Sequence, residues 1–329
     1  MSSYSIPLRL TRLRRNEKIR SLIRETRLSP EQLIAPLFIN QNIIQKKEIS
    51  SMPGQYQFCL EDLPSEIDEI SQLKIPAVVL FGIPEYKDEC GSSASRSDGI
   101  IQQTIEKIRN SNKDIFLITD LCFCEYTDHG HCGILKEDHI DNDSTLEALS
   151  LQAVSHARAG ADCVAPSGMV DGMVGAIRNA LDENGFHHVS ILSYSVKYCS
   201  SLYGPFREAA EGAPKFGDRK TYQMDPANGA EALREAQLDL YEGADMLMVK
   251  PAMNYLDVIY RLKQHYPDVP LCAYQVSGEY AMLKAAASKG WINEQQAMVE
   301  SLTAIKRAGA DFIISYYAKD LARLLSSNV

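Results

Sequence analysis

Eight short apolar runs, separated by longer amphipathic stretches, constrain this chain more than any other feature. They are IAPLFI (34–39), AVVLFG (77–82), IFLITDL (115–121), DCVAPS (162–167), VSILSYSV (189–196), DMLMVKP (245–251), LCAYQVSG (271–278) and DFIISYY (311–317). Each is apolar almost throughout instead of alternating, as a strand covered on both faces should be. Between most of them lie helical stretches such as STLEALSLQAVSHARAG, where Ser144 can cap and Gly160 can terminate. Eight strands with helical returns predict an α/β protein, a closed (β/α)8 TIM barrel. An open doubly wound sheet is the competing arrangement, but no GxGxxG stands at the first strand–helix turn.

A short repeat supports the same reading. Gly160-Ala161-Asp162, Gly243-Ala244-Asp245 and Gly309-Ala310-Asp311 each follow a helical stretch and precede an apolar run. The glycine can take the left-handed conformation that ends a helix, so one αβ turn serves strands four, six and eight. Longer segments near 83–100, 122–143 and 198–228 follow strand C-termini, the barrel face where catalytic loops lie.

Composition narrows the setting. With 329 residues, 45% hydrophobic and 23% charged, the chain has ordinary globular usage and room for one barrel. No apolar run is long enough to read as a membrane helix. Eight cysteines without dense, regular spacing suggest reduced thiols and a cytoplasmic protein. The net charge of −9 argues against nucleic acid as a partner. Residues 1–27 are an exception, with eight basic side chains against Glu17 and Glu25. They run straight into SPEQLIAPLFI, which points to an arm over 1–30 that packs on another copy of the chain, ahead of a barrel over 31–329. A loose solvated tail is the plainer alternative.

Two sets of residues carry chemistry. Cys122, Cys124 and Cys132 lie in CFCEYTDHGHC, directly after the third apolar run. Three sulfurs would hold zinc and leave its fourth position open, as in a catalytic site; ordinary buried thiols are the competing reading. Polar residues also end several strands: Asp120, Ser167, Lys197, Lys250, Ser277 and Tyr316. Two lysines ending adjacent barrel strands are costly to bury. In an apolar pocket, near other cationic charge, a lysine becomes a free amine able to form a Schiff base with a ketone. Snorkelling to solvent or pairing with a carboxylate is the alternative for each.

These segments resemble the porphobilinogen synthase (delta-aminolevulinate dehydratase) family. DLCFCEYTDHGHCG is similar to the family's zinc-binding segment, MLMVKPAMNYLD to its Schiff-base segment and SYSVKYCSSLYGPFREAA to its second-lysine segment. KFGDRKTYQMDPANG and YQVSGEYAML also match, and the likeness runs from PLRLTRLRRN to ISYYAKDLA. The resemblance implies condensation of two delta-aminolevulinate molecules to porphobilinogen, with loss of two waters, in a homo-octamer. It makes Lys250 the Schiff-base lysine, Lys197 the second active-site lysine, and the three cysteines the catalytic zinc ligands. Asp120, beside the metal segment, could orient an amine or relay a proton.

Each substrate carries a carboxylate. Arg207, Arg219 and Gln223 in GPFREAAEGAPKFGDRKTYQ match the family's binding groups for one of them, and Ser277 and Tyr316 those for the other. Tyr203 and Phe206 resemble the aromatic wall beside a substrate, and Ser167 joins the substrate-binding set. Glycines 204, 212 and 217 suggest that this loop is a lid. The resemblance also implies an allosteric magnesium, with Glu235 at the matching position. The chain departs from the family's usual PSDMMDGRV after strand four, reading PSGMVDGMV, so Gly168 lacks a carboxylate and Met173 a guanidinium. His129 and His131 are expected to support the metal ligands from behind or to lie at the surface rather than to bind the metal. The remaining histidines, His187 and His188 among them, read as surface.

Overall fold

The computed structural model describes residues 8–111 and 114–327. Its centre is a closed ring of eight parallel strands: β1 (Leu33–Asn40), β2 (Ala77–Ile83), β3 (Phe116–Leu121), β4 (Cys163–Pro166), β5 (Ser190–Lys197), β6 (Met246–Lys250), β7 (Leu271–Gln275) and β8 (Phe312–Ser315). Strand order follows chain order, and β8 pairs back to β1 through Ile313 with Leu33 and Ile314 with Ile34. That pairing separates a barrel from an open sheet. Every residue of β1 and β2 is buried, with helices outside and side-chain packing within, which is why these runs do not alternate.

The three glycine–alanine–aspartate turns do more than end helices. Gly160, Gly243 and Gly309 follow helices Asn142–Ala159, Glu231–Glu242 and Glu294–Ala308 at φ of 111°, 106° and 122°, where an L side chain is disfavoured. Each aspartate then clasps the preceding strand. Asp162 donates its N–H to Leu117 O (3.0 Å) and accepts Leu117 N–H on its carboxylate (2.7 Å). Asp245 does the same with Ile191 (3.1 and 2.8 Å), and Asp311 with Leu271 (2.8 and 2.8 Å). The device pins β3, β5 and β7 at their N-terminal ends, opposite the catalytic face.

Two local expectations need correction. Helix Asn142–Ala159 begins before Ser144, at Asp141, and the Ser144 hydroxyl donates to the Asp141 carboxylate (2.5 Å). His139, His187, His188 and His265 are exposed, but His156 is fully buried. It shares the inner stripe of its helix with Leu149, Ala153 and Ala157, so helical register overrides its polarity. Burial pushes its pKa down to about 3 and keeps the ring neutral.

From residue 8 to residue 30 no side chain is buried. The segment forms a 3-10 turn (Leu10–Arg14) and a short helix (Glu17–Leu22) capped by Asn16, whose side chain accepts Ile19 N–H at 3.1 Å. Leu8, Leu10 and Leu22 are 72%, 61% and 77% exposed. Residues 1–7 of the arm lie outside the described residues. No helix among the described residues is long and apolar enough to cross a membrane.

Candidate active site

Lys197 and Lys250 end neighbouring strands and are register partners across the β5–β6 ladder. The ladder shifts just before them. Ser193 to Val196 on β5 spans the same stretch as Leu247 to Val249 on β6, so β5 carries one extra residue, a bulge. Tyr194 and Lys197 can therefore both face the barrel interior although their spacing is odd, while Ser193 turns outward to Asp239 (2.6 Å).

Both lysines are 5% exposed. Lys250 Nζ lies over the rings of Tyr274 (4.4 Å), Tyr194 (4.9 Å), Phe206 (5.0 Å) and Tyr203 (5.5 Å). Burial, then the charge of Lys197, pushes its pKa down to about 7, so near neutrality much of it is free amine. Lys197 donates to Ser167 O at 2.5 Å. Neither lysine snorkels.

Asp120 faces them from the end of β3. Ser167 donates to one of its oxygens (3.1 Å), and the other, although buried, has no partner. Burial, then the charge of Glu125, raises its pKa to about 7 against the pull of both lysines. A buried acid and a buried amine thus exchange protons in the same pH range.

The metal-type segment folds back on itself. The Thr127 hydroxyl lies 3.0 Å from both Phe123 O and His131 O, bridging the two ends of the turn that brings Cys132 to Cys122 and Cys124. The three sulfurs lie within 4.8 Å of one another, with Cys122 and Cys124 3.4 Å apart. Hydrogen bonds from Cys122 and Cys124 hold the Cys132 thiol well below its usual range. The cluster fits a soft or borderline divalent cation. Glu125, 3% exposed and 3.2 Å from the Cys124 sulfur, adds a carboxylate at the edge of the cluster. Neither histidine joins it. His129 lies between Glu89 O (3.1 Å) and the N–H of His131 (3.1 Å); His131 meets Phe216 O (3.0 Å) and the Tyr222 hydroxyl (3.3 Å). Both stitch loops together.

The segment after β5 closes over this chamber. Arg219, 4% exposed, donates to Gly130 O (2.8 Å) and Gly212 O (2.7 Å), joining the two loops. Lys215 N–H reaches His129 O at 3.0 Å. The approach is close enough to require glycine: a Cβ on Gly130 would stand 2.2 Å from Ala213 O, and one on Gly212 2.9 Å from Cys124 O. Polar capacity is left over. Both amide atoms of Gln223 and the Nε atoms of Arg207 and Arg219 are buried without partners, an expensive state unless a ligand completes them.

On the other side, Ser277 accepts Phe206 N–H (2.9 Å), so its hydroxyl already engages the segment after β5. It begins helix Ser277–Ser288 two residues beyond β7, and Tyr316 lies one residue beyond β8 with its hydroxyl 3.0 Å from that of Tyr274. Tyr203 donates to Tyr198 O (2.7 Å), and Phe206 packs edge-on against Phe81 (5.1 Å). Gly168 sits against the metal segment, its Cβ position 3.5 Å from Cys132 O, while Met173 is buried.

Glu235 stands apart, in a cavity of about 530 Å³ with Asp171, Asp225, Asn228 and Glu231. Burial, then Asp239 and Glu231, raises its pKa to about 7. The cavity wall includes Tyr222 and Gln223 of the lid.

Sequence reasoning missed Tyr194, Tyr274 and Glu125. Both tyrosines lie inside strand runs, and the β5 bulge also hides which face Tyr194 takes. Glu125 was within the cysteine segment and was signalled only by its position there.

A model of the delta-aminolevulinic acid dehydratase family matches residues 8–324. The chain belongs to this family. It is 52% identical over 315 residues to the delta-aminolevulinic acid dehydratase of Halalkalibacterium halodurans, covering 96% of each chain. It is 52% identical over 318 residues to that of Archaeoglobus fulgidus, covering 97% of this chain and 98% of the other. The crystal structure of the Toxoplasma gondii ME49 delta-aminolevulinic acid dehydratase (porphobilinogen synthase), in complex with the reaction product porphobilinogen, superposes with a TM-score of 0.96. That match has 44% identity and covers 98% of this chain and 93% of the other.

Proposed function

We propose that this chain is a porphobilinogen synthase, a lyase of tetrapyrrole formation that joins two delta-aminolevulinate molecules with loss of two waters. The observation that carries the reading is the chamber itself. Two buried lysines on paired strand positions face a three-cysteine cluster under a lid with unfilled donors.

Lys250 is the nucleophile in this reading. Its free amine adds to one substrate's ketone, and loss of water leaves an imine that activates the adjacent carbon. Asp120, with a pKa near that of Lys250, accepts and returns the proton. Lys197 stands beside that amine and orients the second substrate. Ser277 and Tyr316 take one carboxylate through hydroxyls; Arg207, Arg219 and Gln223 take the other. Tyr203 and Phe206 wall the substrate, and Ser167 fixes both Asp120 and Lys197. Cys122, Cys124 and Cys132 would hold zinc, which would polarise the second ketone or a water.

Glu235 and its acidic neighbours suit an allosteric magnesium, and sharing a cavity with Tyr222 and Gln223 would let the ion bear on the lid. The exposed leucines of the arm support its packing on a second copy within a cytoplasmic homo-octamer.

The test is incubation with delta-aminolevulinate and detection of a pyrrole by an acidic aldehyde reagent. Colour from the wild type and none from Lys250→Ala is expected. Colour from neither rejects the reading.

A further inference from the structure

Glu279 is a carboxylate with no exposed surface, and it belongs to none of the groups assigned above. Such burial is expensive unless hydrogen bonds replace water. They come here from the backbone of two different segments. One oxygen accepts Val276 N–H at 2.8 Å, and the other accepts Met253 N–H at 2.6 Å. The N–H groups of Ala252 and Asn254 also bear on it.

The first bond alone would be an ordinary cap, since Glu279 is the third residue of its helix and reaches back to the N–H before it. A cap needs one oxygen. The second leaves the helix and holds the chain that follows Lys250. The β6–β7 ladder ends at Val249 with Ala273, so Lys250 and the residues after it have no strand partner on that side. Glu279 spans the gap where the ladder stops. Its two partners stand three residues after Lys250 and one before Ser277.

We propose that Glu279 is a positioning residue whose carboxylate fastens the chain after Lys250 to the chain before Ser277. It sets the Lys250 amine against the Ser277 hydroxyl, so that imine formation and carboxylate capture occur on one substrate. This rests on the reading of Lys250 as the amine that takes substrate.

Glutamine at this position keeps size and shape, but turns an NH2 toward one of the two N–H groups and breaks one side of the clasp. Aspartate keeps the carboxyl group but is a methylene too short to reach both. The experiment compares wild type, Glu279→Gln and Glu279→Asp for thermal melting, kcat, KM and the rate of borohydride trapping on Lys250 with delta-aminolevulinate. Both variants are expected to fold, to trap about ten-fold more slowly, and to show raised KM with lowered kcat. Folded variants that trap at the wild-type rate with unchanged KM would overturn the proposal. So would variants that fail to fold, or lose activity only in proportion to folded protein, since the role would then be architectural. Absence of a wild-type adduct on Lys250 would instead defeat the reading beneath it.

Discussion

Lys197 and Lys250 are register partners on adjacent strands, yet their surroundings differ. Lys197 has a carbonyl acceptor, Ser167 O, whereas Lys250 has four aromatic faces. A hydrogen-bond acceptor stabilises an ammonium, while an apolar cage with a cation next to it favours the free amine. Two identical side chains, one strand apart, are thereby given different chemistry.

The like charge of Lys197 helps hold the Lys250 pKa near 7. Its removal in Lys197→Met should let that pKa rise. The amine is reactive above its pKa, so the acid limb of trapping should move to higher pH by roughly one unit. The pH profile of borohydride trapping measures this; an unmoved acid limb would refute the coupling.

The three sulfurs act as one site. Cys132→Ser removes the member most readily ionised, and affinity for zinc should fall on the order of 100-fold or more. Competition with a chromophoric chelator reads it directly. Affinity equal to wild type would mean that the thiols are only packed together.

Arg219 joins the lid to the metal segment through two carbonyls. Its loss in Arg219→Ala should weaken closure by about 2 kcal/mol, roughly a thirty-fold larger open population. Protease cleavage within 203–222 should accelerate accordingly, and substrate should slow it in the wild type. Cleavage at equal rates in both proteins would contradict a closing lid.

His156 links stability to pH. Its folded pKa, about 3, lies below the ordinary value of 6.5. Below 6.5 the unfolded chain takes up a proton that the fold refuses. Stability is therefore complete above 6.5 and falls by ~1.4 kcal/mol per pH unit toward 3. In urea melts, His156→Leu should lose less stability between pH 6.5 and 4.5 than wild type. Parallel loss would show that His156 is not the titrating group.

The barrel was legible because its strands are apolar on both faces and its αβ turns recur, features of the chain alone. The lysines and Asp120 were legible because costly residues ended predicted strands, and the cysteines because three of them fall within eleven residues. Tyr194 was hidden by a bulge that exists only when β5 pairs with β6. His156 was misread because its burial depends on the register of its helix against the barrel. Glu279 was not singled out, because its second partner, Met253, is 26 residues away in sequence.

The most direct measurement is borohydride trapping with delta-aminolevulinate, followed by peptide mass spectrometry. Added mass on Lys250, with or without one on Lys197, is the expected result and identifies both substrate and nucleophile. No adduct on either lysine, in zinc-replete protein, would contradict the imine mechanism and the assignment built on it.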